Sequence, residues 1–161
     1  MRSIPLHLFR ARGVSNRNVL LRFVLDLVRL LSITLRLMGA EMKVPNWTDE
    51  EMILACRLAY LRNWKGVNIQ DPGVRELSDL LRAKWRAELG SIGASDRSPG
   101  SVGMKVNNLI AHVTPGKGLR TSKAEWPIVE GFLERPADML AEACVIEYEF
   151  RKIAGSGGTE I

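Results

Sequence analysis

The segment from Arg97 to Lys123, RSPGSVGMKVNNLIAHVTPGKGLRTSK, holds Arg97, Lys105, His112, Lys117, Arg120 and Lys123 and no carboxylate. Such a set can neutralise phosphates. Within it, Ser101, Lys105, Asn108 and His112 recur at helical spacing and so share a stripe of one helix. Lys105 suits a phosphate or guanine, and Asn108 carries the paired donor and acceptor that match adenine in the major groove. Ser101, near the start of the helix, can bind a phosphate together with backbone N–H groups. Arg97, Lys117, Arg120 and Lys123 would then take phosphates from the loops on either side. The competing reading is a solvated face, because any exposed helix face must carry polar residues of some kind.

No other constellation offers as much. TPGKGLRTS lacks the glycine–lysine spacing and the preceding strand of a phosphate loop. Asp138, Glu142, Glu147 and Glu149 form an acidic helical face with no His or Lys converging on it, which reads as solvated surface rather than a metal or acid–base site. Trp47, Trp64, Trp85 and Trp126 fall at helix starts or faces, where anchoring a core is their ordinary role. Cys56 and Cys144 stand far apart in apolar helical contexts, which suits buried thiols in a reducing cytoplasm. We therefore expect no catalytic residue, no metal and no cofactor.

The elements that must hold the basic segment are legible as helices. Thr48 followed by Glu51 is a capping box, and Asp49, Glu50 and Glu51 complement the positive end of a helix running to about Asn63. Asp71-Pro72 opens a second helix, on which Val74, Leu77, Leu80, Leu81 and Trp85 recur to about Leu89. GSIGASDRSPG is a loop by composition. Ser98-Pro99 begins a third helix, which ends near Val113; Val102, Val106, Leu109, Ile110 and Val113 form its apolar face. Residues 121–153 supply one or two more helices, with Thr121 or Ser122 as a cap and Asp138 as a cap or first-turn acid. Residues 155–161 read as a disordered tail. Strands and internal repeats are not indicated.

The +5 net charge of the 161-residue chain is unevenly spread. Residues 1–43 hold eight of the 23 Lys/Arg and two of the 18 Asp/Glu, so the remainder is nearly neutral. Only a local concentration of charge therefore argues for a nucleic-acid partner. Residues 19–38 are a Leu/Val run interrupted by Arg22, Asp26, Arg29 and Arg36, too charged for a membrane span and better read as a basic amphipathic helix. The leader 1–43 also fits an over-extended start, with initiation at Met38 or Met42. Apolar content of 46% and charged content of 25% are those of a globular chain, and the length suits one domain, over residues 44–154.

Taken in order, NWTDEEMILACRLAYL, VRELSDLLRAKW, RSPGSVGMKVNNL and GKGLRTSKAEWPIVEGF resemble the helical domain that precedes the catalytic module in many HNH-type restriction endonucleases. The resemblance is carried by Trp47, Thr48, Glu51, Tyr60, Glu76, Leu77, Ser78, Arg97, Pro99, Val102, Met104, Lys105, Asn108, Gly116, Gly118, Leu119 and Trp126, across about half the chain. Where that family usually follows its asparagine with an aromatic, this chain has Leu109. The nuclease half has no counterpart, since His7 and His112 are the only histidines and an HNH site gathers several ligands around a metal. The resemblance thus implies a DNA-targeting module without catalysis. The expectation is an all-α domain with a helix-turn-helix or Myb-like trihelical core from about 45 to 114, C-terminal helices packed on it, and double-stranded DNA as partner. The alternative is a protein-interaction module docking on a partner such as a separate nuclease subunit.

Overall fold

In the computed structural model, which describes residues 44–114 and 121–156, five α-helices and no strands are present among the described residues. They are α1 (Asp49–Leu61), α2 (Pro72–Leu89), α3 (Pro99–Val113), α4 (Trp126–Glu134) and α5 (Pro136–Ser156). The leader, the 115–120 loop with its Lys117 and Arg120, and residues 157–161 lie outside the described residues.

The start signals act as the local chemistry requires. Thr48 Oγ1 accepts from the Glu51 N–H, and the Glu51 carboxylate accepts from the Thr48 N–H, which closes the capping box of α1. Asp71 caps α2 and Ser98 caps α3, each followed by proline in the first turn. Gly90 ends α2 at φ 84°, a left-handed conformation that costs glycine nothing. The C-terminal region resolves into two helices because Arg135-Pro136 interrupts the first and starts the second. Neither Thr121 nor Ser122 caps α4, which begins at Trp126; Asp138 does lie in the first turn of α5. α5 also runs to Ser156, two residues into the stretch expected to be tail.

α1 touches each of the other four helices. The reason lies in its sequence: Met52, Ile53, Leu54, Ala55, Cys56 and Ala59 bury nearly its whole circumference, as a central helix must. The core is accordingly not confined to three helices. Val129, Phe132, Met139, Ala143 and Phe150 from α4 and α5 join Leu54, Leu81, Val106 and Leu109 in one cluster. α4 and α5 meet at Gly131, where a Cβ would come 2.9 Å from Met139 Sδ, so a larger residue would make the Met139 side chain shift. A smaller cluster of Val44, Trp85 and Ile92 fastens the incoming chain to the end of α2.

Candidate nucleic-acid interface

Arg97 sets the geometry around α3. It stands just before the Ser98 cap at φ 49°, a backbone region that costs a non-glycine residue of order 1–3 kcal/mol. The conformation turns its side chain inward. Nε and Nη2 each donate to one oxygen of Glu51 at 2.7 Å, and Nη2 also donates to the Pro45 carbonyl at 2.9 Å. The guanidinium lies 4.6 Å from the Trp47 ring centroid. With the Thr48 N–H of the capping box, Trp85 Nε1 at 2.7 Å brings the donors to Glu51 to four, and Ser78 Oγ donates to the Arg97 carbonyl at 2.7 Å. Glu51 is fully buried and Arg97 is 5% exposed. The expectation that Arg97 contacts phosphate from the surface is thereby corrected: its charge is spent on a buried carboxylate that enters from α1.

A second carboxylate engages two more of the expected contacts. Glu125 lies two residues beyond the acid-free segment and is 3% exposed. Its Oε1 accepts from Lys105 Nζ at 2.7 Å; its Oε2 lies 3.1 Å from His112 Nε2 and accepts from the Ser122 N–H at 3.2 Å. Burial pushes the Glu125 carboxyl up, but the hydrogen bonds from Lys105, His112 and Ser122 outweigh it and hold the group below the usual carboxylate range. Trp47 and Trp126 flank this contact, with Lys105 Nζ 5.5 Å from the Trp47 centroid and the His112 and Trp126 rings 6.0 Å apart. Lys105 and His112 are thus turned toward the 121–125 segment, not straight out as their stripe suggested.

On the other flank of α3, Asn107 clasps the α1–α2 loop. Its Oδ1 accepts from the Val67 N–H at 3.0 Å and its Nδ2 donates to the Val67 carbonyl at 2.9 Å. Both amide groups of one side chain are therefore satisfied by a single residue of the loop, which carries Lys65.

Between the two flanks, α3 points Met104 and Asn108 outward. Met104 is 64% exposed; Asn108 is half-buried, and its side chain makes no hydrogen bond among the described residues. Ser101 is half-buried at the edge nearer Lys105. Lys123 and Lys65 are exposed on the flanking loops and form no ion pair among the described residues. Of the expected contacts, then, the structure brings Lys105 and His112 together on Glu125, leaves Lys123 exposed and Ser101 and Asn108 half-buried, and buries Arg97. Met104, Asn107, Glu125 and Lys65 are the neighbours that helical spacing did not single out. Met104 had one legible signal, since it falls opposite the centre of the apolar face.

Among the described residues no group of three His, Cys, Asp or Glu is arranged to hold a metal ion, and no helix is long and apolar enough to cross a membrane. Comparison of the chain with protein-family models, curated proteins and solved structures finds no match in any of the three.

Proposed function

We propose that this chain is a non-catalytic DNA-binding module of the cytoplasm, in which α2 and α3 act as a helix-turn-helix-like pair and α3 enters the major groove. The observation that carries the reading is the outward face of α3. It bears no carboxylate, it carries the half-buried Asn108 with its amide unpaired among the described residues, and it runs between two loops that its own side chains hold in place. Lys65 and Lys123 meet phosphates on either side, joined by Lys117 and Arg120. The resemblance to the helical domain ahead of HNH endonuclease modules supports the same role, that of a targeting domain. The reading assigns no catalytic residue and needs no cofactor.

A second reading, a module that docks on another protein, is favoured by the apolar side chains left on α4 and α5: Leu133 is 46%, Val145 62% and Tyr148 65% exposed. Fluorescence anisotropy with duplex DNA and the whole chain, titrated over salt, separates the two. Each phosphate contact contributes about 0.9 to the slope of log affinity against log salt. Lys65→Ala/Lys123→Ala should therefore flatten it by about 1.8. An unchanged slope would show that Lys65 and Lys123 do not meet phosphates beside α3, and the protein-docking reading would replace this one.

A further inference from the structure

We infer that α3 reads A·T base pairs, with the Asn108 carboxamide on adenine and the Met104 side chain on the thymine methyl; the inference rests on the DNA-binding reading above.

The argument proceeds by what each base edge requires and what α3 has free to offer. Guanine presents two acceptors in the major groove and calls for an arginine or lysine fork. Among the described residues, the lysine on α3 and the arginine that precedes its cap are committed elsewhere, Arg97 to Glu51 and Lys105 to Glu125. The Lys105 side chain is only 16% exposed. Cytosine presents an amino donor and calls for a carboxylate, and α3 has none along its whole length. Adenine presents an acceptor beside a donor, which the carboxamide of asparagine matches with both its groups. Thymine presents a methyl, which an apolar side chain covers.

Two neighbouring asparagines divide the work. Asn107 spends both amide groups on Val67, whereas the Asn108 amide is uncommitted among the described residues. Met104 lies one helical turn before Asn108, about 6 Å along the axis, which is within two base steps of the duplex. Gly100 and Ala111 continue the same line before and after them. Between the small residues at both ends, this line presents the exposed Met104 thioether and, beside it, the half-buried Asn108 amide. A 64% exposed methionine is also costly to leave in water, and a thymine methyl gives it an apolar partner.

The test starts from a pool of duplexes with a randomised centre, selected with the whole chain. The enriched duplex is then remade with 7-deazaadenine, which lacks the N7 acceptor, and with uracil, which lacks the methyl. The expected result is an enriched core containing an A·T pair. 7-Deazaadenine should weaken binding roughly 5- to 150-fold, the range for losing a bidentate base contact, and uracil should weaken it several-fold. Asn108→Ala should abolish the response to 7-deazaadenine and Met104→Ala the response to uracil, both with the salt slope of the parent. Enrichment of G·C contacts, or an Asn108→Ala protein that keeps the parent's preference, overturns the inference while leaving DNA binding in place. If no duplex of any sequence binds, the proposed function falls with it.

Discussion

Arg97→Ala offers the sharpest test of the buried ion pair, because the surface reading and the structural reading of Arg97 predict opposite outcomes. The substitution removes two charge-assisted hydrogen bonds to Glu51, one to the Pro45 carbonyl and the stacking on Trp47. It leaves the fully buried Glu51 carboxylate held only by Trp85 Nε1 and the Thr48 N–H. Breaking a buried pair in this way costs about 3–5 kcal/mol. Relief of the left-handed backbone returns little, since alanine is no happier there. For a domain of this size the loss should lower the midpoint of thermal unfolding by at least about 12 °C. Intrinsic fluorescence follows it well, since Trp47 and Trp85 both border the pair. Arg97→Lys keeps the charge but cannot span both oxygens and the Pro45 carbonyl, so about 1.5–3 kcal/mol should go. Glu51→Gln/Arg97→Ala should be more stable than Arg97→Ala, because the carboxylate left alone is then gone while an amide oxygen remains for Trp85. A cost below 1 kcal/mol for Arg97→Ala, with DNA affinity lost in a protein that unfolds like the parent, would refute the buried-pair account and restore Arg97 to the surface.

Three further outcomes follow from the same geometry. Asn107→Ala removes both bonds to Val67 and should cost about 1–3 kcal/mol, with amide exchange accelerated in the α1–α2 loop and not in α5. Because Glu125 is held below the usual carboxylate range, it contributes stability that is present above that range and is lost as pH falls through and below it; Glu125→Gln should therefore flatten the acid limb of a stability-against-pH curve, and an unaltered limb would count against the Lys105–Glu125–His112 contact. Burial pushes the Cys56 thiol up to about 12 while Cys144 is exposed, so a thiol reagent should titrate one cysteine in the native protein and two in denaturant; fast reaction of both would mean that α1 is not central.

Nearly all of the local structure was legible. Thr48, Asp71 and Ser98 each announce a helix, because a cap and its first turn lie within four residues of one another and nothing distant is needed to satisfy them. The exact number of C-terminal helices depended on whether Pro136 breaks or merely bends the chain; it breaks it, with Arg135 leaving the helical conformation just before the proline. The candidate interface was legible only in part. Spacing placed Lys105, Asn108 and His112 on one side of α3 with Arg97 just before it, but the partners that engage Arg97 and Lys105, Glu51 and Glu125, come from other elements, 46 residues before Arg97 and 20 after Lys105. Charge counting within a segment misses such partners by construction. It follows that Trp47, Thr48, Glu51, Ser78, Arg97 and Lys105, six of the residues behind the resemblance to the HNH-associated domain, meet in one cluster that fastens α1, α2 and α3 together. Those six residues form a scaffold; of the others, Glu76, Met104 and Trp126 are exposed and Asn108 is half-buried.

The same 46-residue separation sets a timetable for the growing chain. A ribosome adds ~5–20 residues per second, so about 2–9 s elapse between the synthesis of Glu51 and that of its guanidinium partner. Throughout that interval the first helix carries a carboxylate that has nowhere dry to go, beside Met52 and Ile53, which already seek burial. Water keeps the amino end of the helix at the surface of any early collapse. The domain cannot close around its central helix before the third one has begun to emerge, and whatever shields those apolar residues in the meantime has a fixed and short window in which to act.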